Sequence, residues 1–102
     1  MYFIYIIYSE TGNLYYVGYT SNIELRLQQH NEQNYFNTFT SKHRPWKLAA
    51  LFSCGDQEKD AISMERFIKK QHSRKIIEKL VDPDFSPDGR LAQLVRVPKL
   101  RD

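Results

Sequence analysis

At 102 residues the chain has room for one domain with a modest core. Apolar residues make up 41% and aromatics 14%, which supports a folded domain, yet no apolar run reaches the length of a transmembrane helix. The net charge of +3, from 15 basic and 12 acidic residues, points to a polyanionic partner only through its distribution. The N-terminus leads straight into a strand-like run with no basic segment ahead of it, so no signal peptide is expected and the cytoplasm is the expected compartment. The single cysteine, Cys54, has no disulfide partner in the chain and reads as a small buried apolar residue at a strand end.

Tyr2 to Tyr8 is β-branched and aromatic and predicts a strand. The cluster Ser9-Glu10-Thr11-Gly12-Asn13 predicts a turn, with Gly12 and Asn13 as the residues that tolerate positive φ. Leu14 to Tyr19 predicts a second strand, closing an antiparallel hairpin. Alternation puts Phe3, Tyr5 and Ile7 on one face and Tyr2, Ile4, Ile6 and Tyr8 on the other. On the second strand Leu14, Tyr16 and Gly18 share a face. Gly18 weakens a strand, so it marks a bulge or a close approach by another backbone or a ligand. Ser21 with Glu24 reads as a capping box that opens a helix. On that helix Ile23, Arg26, Leu27 and His30 fall on one face, and a cation there needs an anion or an aromatic partner.

Glu32 to Arg44 has no clear periodicity. Its Asn34, Tyr35, Phe36, Asn37, Thr38, Phe39, Thr40, Ser41, Lys42, His43 and Arg44 either contact phosphates and bases or fold back onto the core, and both readings stay open. Trp46 to Cys54 predicts a third strand with Trp46 as a core anchor. Asp56 is the expected cap of a helix over 57–72, where Ala61, Ile62, Glu65, Ile68 and His72 lie near one face. Glu65 is a carboxylate among apolar positions and needs a partner: a salt bridge to Arg26 or Lys69, or a metal. Ser73 is the expected cap of a last helix over 74–81. Residues 82–102 hold three of the four prolines and read as an extended or loosely packed tail outside a domain of residues 1–81. Within that tail, Arg90 to Arg96 resembles peptides made when a bacterial reading frame runs into a tRNA gene, which implies no selected role. The elements together give an α/β (α+β) fold, a three-stranded antiparallel sheet flanked by three helices, in the order strand, strand, helix, strand, helix, helix. Basic residues gather at Lys42 to Lys47 and along Arg66, Lys69, Lys70, Arg74, Lys75 and Lys79, either as solvated surface or as a face for a polyanion.

Ile4-Tyr5-Ile6, Tyr16-Val17-Gly18, Arg26, His30 and the helical Glu65 resemble the signature of the GIY-YIG nuclease superfamily. The chain is most similar to its small stand-alone bacterial members, of the excinuclease-C-like kind. The likeness runs from Met1 to about Val81. Ile4 and Ile6 depart from the residues that flank the tyrosine in the name, but Tyr5 is retained. The resemblance implies a divalent-metal-dependent DNA endonuclease that hydrolyses phosphodiester bonds in repair or recombination. It implies Tyr5, Tyr16, Arg26, His30 and Glu65 as catalytic residues, with Glu65 holding Mg²⁺ or Mn²⁺. Arg26 suits the non-bridging phosphate oxygens, and a tyrosine or His30 suits the attacking water. Gly18, Lys42, His43, Arg44, Lys69, Lys70, Arg74 and Lys75 are the expected substrate contacts. The substrate would be DNA, with branched, nicked and single-stranded forms all open, and a protein partner would supply specificity. The alternative is a nucleic-acid-binding module with this fold and little or no catalysis. Two departures bear on rate: Tyr19 and Thr20 follow the second triplet where some members carry Lys, and no Asn follows Glu65.

Overall fold

The computed structural model describes residues 1–33 and 36–98. Asn34 and Tyr35 of the polar loop, and the last four residues of the tail, lie outside the described residues. The hairpin forms as its turn chemistry dictates, from β1 (Phe3–Ser9) and β2 (Leu14–Thr20). Asn13 takes φ 52°, and the Gly12 N–H donates to Ser9 Oγ at 3.0 Å. The Tyr8 hydroxyl donates to Asn13 Oδ1 at 2.8 Å. β3 (Trp46–Ser53) pairs with the other edge of β1.

The sheet differs from the expected three strands. A fourth, β4 (Val95–Arg96), pairs with β3, and the order is β2-β1-β3-β4, antiparallel throughout. Among the described residues four α-helices accompany it: α1 (Ile23–Glu32), α2 (Thr38–Ser41), α3 (Glu58–Lys70) and α4 (Arg74–Val81). α2 is a single turn in the loop read as irregular. Its sequence is too short for periodicity, but Asn37 caps it by accepting from the Thr40 N–H at 3.0 Å. Asn22, not Ser21, caps α1, accepting from the Leu25 N–H at 3.1 Å. Asp56 does not cap α3 but pairs with the terminal amine at 3.5 Å. Ser73 caps α4 as expected.

β1 is central and buried on both sides, so two apolar layers form. Ile4, Ile6, Val17 and Phe52 pack with Ala61, Met64 and Ile68 of α3 and Leu80 of α4. On the opposite face Tyr5, Ile7, Trp46 and Leu51 pack with Ile23 and Leu27 of α1. Ala61, Met64 and Ile68 are the buried positions of α3, and Glu65, one position after Met64, stands half-buried at the boundary of the core. No helix among the described residues is long and apolar enough to cross a membrane.

Residues 82–98 correct the expectation of a loose tail. A 3₁₀ turn over Gly89–Gln93 places Leu91 and Leu94 inside the first layer, with Phe85 against it. The Arg96 guanidinium lies over the Phe52 ring at 4.8 Å and donates to the Leu80 carbonyl at 3.0 Å. The Val97 N–H donates to the Leu51 carbonyl at 2.8 Å. Three prolines break helical periodicity, yet Leu91 and Leu94 still join the apolar layer that α3 and α4 supply.

A candidate active site beside the outer strand

Tyr5 sits directly across the ladder from Gly18. A Cβ on Gly18 would lie 2.5 Å from Tyr5 Oη and 2.6 Å from its Cζ, closer than real atoms approach. The glycine therefore seats the Tyr5 ring. The reading of Gly18 as a DNA contact is corrected on this ground: it is buried beneath that side chain. Gly18→Ala is expected to push Tyr5 out of place and destabilise the fold by about 1–3 kcal/mol, measurable as a fall in melting temperature.

The Tyr5 hydroxyl meets His30 Nε2 at 2.7 Å, and His30 Nδ1 meets Thr40 Oγ1 at 2.9 Å. All three residues are buried, at 1% exposure each. Burial, with the charges of Arg26 and Arg44, pushes the His30 imidazolium down to about 4, so His30 is neutral at physiological pH. Burial and the neighbouring Tyr16 hold the Tyr5 phenol above its usual range, although Arg26 pulls the other way. Desolvation thus outweighs the pull of Arg26 on the Tyr5 phenol. The His30 shift fixes a pH dependence. Unfolded His30 titrates near 6.5 and the folded residue near 4, so between these values the unfolded chain binds more protons. Stability should fall as pH drops from about 6.5 to about 4, by roughly 3 kcal/mol from this group. Melting curves across that window should be shallower in pH for His30→Gln than for the wild type.

Arg26 reaches across from α1. Its Nε donates to Gln29 Oε1 at 3.0 Å, one Nη donates to the Tyr19 carbonyl at 3.2 Å, and its guanidinium lies 5.4 Å from the centre of the Phe36 ring. Phe36 in turn stands edge-on to His30 at 5.0 Å. The Tyr16 ring is edge-on to His30 at 5.1 Å, and its hydroxyl accepts from Asn37 Nδ2 at 3.2 Å. From α3, the Lys69 ammonium lies 4.8 Å above the Tyr16 ring and pairs with Glu65 at 3.2 Å. Of the two salt bridges open for Glu65, the structure forms the one to Lys69. Tyr16, Arg26 and Glu65 are all close enough to act on the Tyr5 hydroxyl through their charges. Tyr5, Tyr16, Arg26, His30 and Glu65 are thus brought together at the β2 side of the sheet. Thr40, Asn37 and Gln29 complete the arrangement: Asn37 and Thr40 belong to the polar loop whose donors face either phosphates or the core, and Gln29 is the helical neighbour of Arg26 at i+3.

No group of three or more His, Cys, Asp or Glu side chains among the described residues forms a cation cage. The donor set here is the single carboxylate Glu65. That fits Mg²⁺ or Mn²⁺ bound through one carboxylate, with water and substrate phosphate as the other ligands, and fits no all-protein cage.

The expected DNA contacts divide into two groups. Arg44 spends its fork on α1, donating to the His30 carbonyl at 2.7 Å and the Gln33 carbonyl at 2.8 Å. Arg74 spends its own on the hairpin turn, donating to the carbonyl and to Oδ1 of Asn13, each at 2.8 Å. Both act as structural ties. His43 packs 5.1 Å from Phe39. Lys42, Lys69, Lys70 and Lys75 are exposed. Arg44→Ala is expected to lower melting temperature more than DNA affinity, and Lys42→Ala the reverse.

A UPF0213 protein from Syntrophus aciditrophicus (strain SB) is 38% identical over 68 residues, covering 67% of this chain and 76% of the relative. The family model of the GIY-YIG catalytic domain matches residues 1–79, which include all five converging side chains, and the chain belongs to that family.

Proposed function

We propose that this chain is a metal-dependent DNA endonuclease, and that Tyr5 and His30 act as a proton relay in phosphodiester hydrolysis. The observation that carries this reading is the 2.7 Å bond between a protonated buried tyrosine and a neutral histidine, set beside Arg26 and Glu65. Nucleases of this family generally use a divalent metal ion. Glu65 would hold Mg²⁺ or Mn²⁺ here, and the ion supplies Lewis-acid stabilisation of the phosphate and the leaving oxygen.

A water attacks phosphorus as its proton passes to Tyr5 Oη and the Tyr5 proton passes to His30 Nε2. The P–O3′ bond breaks, and the leaving oxygen takes a proton from solvent. Tyr5 is never a free phenolate, which accommodates its raised pKa. Arg26 donates to the non-bridging oxygens, where charge grows in the transition state. The bound phosphate also offsets the cations that depress His30, and so raises its affinity for the proton. Substrate binding must admit one water to Tyr5, because both relay residues are buried. Lys42, Lys69, Lys70 and Lys75 contact the DNA backbone. Repair or recombination intermediates in the cytoplasm are the natural substrates in this reading, with a protein partner directing the domain to them.

The burial of Tyr5 and His30 favours a second reading, a module that binds nucleic acid without cutting it. A panel of single-stranded, nicked, flapped and branched DNA, incubated with Mg²⁺ or Mn²⁺, decides between them. Metal-dependent cleavage of at least one substrate by the wild type, and none by Glu65→Ala, supports the nuclease. Binding without cleavage across the panel supports the module.

A further inference from the structure

We propose that Thr40 is a positioning residue that holds His30 in the Nδ1–H tautomer that Tyr5 requires, and that through Asn37 the same single-turn helix also holds Tyr16. The catalytic consequence rests on the nuclease reading above; the tautomer does not.

The argument follows the protons. Tyr5 is buried, and among the described residues His30 Nε2 is the one acceptor that its hydroxyl meets. The nearby Arg26 can only donate. The phenol proton therefore needs Nε2 as its acceptor, and the imidazole proton must sit on Nδ1. Nδ1–H then donates to Thr40 Oγ1 at 2.9 Å, and the Thr40 hydroxyl donates onward to the Asn37 carbonyl at 3.5 Å. Every donor has an acceptor. In the other tautomer Nε2–H points at Tyr5, and the phenol proton is left buried without a partner.

Thr40 is itself held from three sides. Its N–H donates to Asn37 Oδ1 at 3.0 Å, its carbonyl accepts from Trp46 Nε1 at 2.8 Å, and its side chain is buried. Asn37 also donates from Nδ2 to the Tyr16 hydroxyl at 3.2 Å. One turn of helix, Thr38–Ser41 with its cap, thus links the two tyrosines. With the Nδ1–H tautomer set in advance, His30 presents a lone pair to Tyr5 and needs no rearrangement before it takes a proton.

The test is a long-range ¹H–¹⁵N correlation spectrum of the His30 imidazole in the full chain at neutral pH, paired with single-turnover kinetics. The wild type should show a protonated Nδ1 and a bare Nε2. Thr40→Val, which keeps the shape but removes the acceptor, should weaken that preference and cut about tenfold or more slowly at saturating enzyme, with DNA affinity unchanged. Thr40→Ser should restore both readouts. A wild type with the proton on Nε2 overturns the proposal, whether or not the valine variant folds. An unchanged tautomer and rate in Thr40→Val also overturns it. The expected tautomer in a protein that cuts no DNA leaves the positioning role standing and removes the nuclease reading instead.

Discussion

Glu65→Ala is expected to slow single-turnover cleavage at least about a hundredfold while leaving the melting temperature nearly unchanged. The two effects separate because the pair that Glu65 makes with Lys69 is partly solvated, with side-chain exposures of 18% and 45%. Exposed pairs of this kind contribute about 0–1 kcal/mol. DNA affinity should hold or rise slightly, since a negative charge near the phosphates is removed. Arg26→Ala should lose cleavage to a similar degree and some affinity as well. It should also lower stability modestly, because Arg26 ties α1 to the Tyr19 carbonyl. Arg26→Lys should not restore cleavage, since an ammonium cannot reproduce a planar fork. A purely structural Arg26–Glu65 ion pair would behave differently: removing either partner would cost roughly 3–5 kcal/mol and melt the domain early. Melting temperature, DNA affinity and cleavage measured on the same three variants distinguish these outcomes.

The second large effect concerns the segment after α4. Deleting residues 83–102 uncovers Phe52 and the layer into which Leu91 and Leu94 pack. Each fully buried leucine contributes about 1.5–3 kcal/mol, and the loss of both is a large share of the roughly 5–15 kcal/mol that holds a typical domain folded. At about 4–8 °C per kcal/mol for a chain of this size, the melting temperature should fall by at least about 10 °C. Leu94→Ala, which removes one of the two contacts, should give an intermediate fall. A truncated chain that melts with the full-length protein would show that the segment adds nothing to the core.

What the sequence reveals and what it conceals follows from how local each feature is. The hairpin was legible because its signals are adjacent residues: aromatic and β-branched runs around a turn at Gly12-Asn13. The same holds for α4 and its Ser73 cap. β4 was hidden because a two-residue strand has no period, and its pairing with β3 depends on a partner more than forty residues away. The roles of the arginines were hidden for a related reason. Arg44 and Arg74 look like free cations in a basic cluster, and only the fold shows their forks filled by carbonyls. At the candidate site the five named side chains could be read from spacing and resemblance. The residues that orient them could not. Gly18 is odd in a strand, but the reason lies in the cross-strand register that lays Tyr5 on top of it. Thr40 is one hydroxyl in a polar loop, and its meaning depends on His30 ten residues earlier and on a buried phenol beyond that.

The central claim is that this surface cuts DNA and does more than hold it. The most direct test is a single-turnover time course with enzyme in excess over labelled branched DNA in Mg²⁺, with bound and cleaved fractions read from the same sample. The relay predicts that DNA bound by the wild type is converted to product, and that DNA bound equally well by Glu65→Ala or in chelator stays whole. DNA that is fully bound by the wild type in Mg²⁺ and Mn²⁺, yet stays intact throughout, would contradict the nuclease reading.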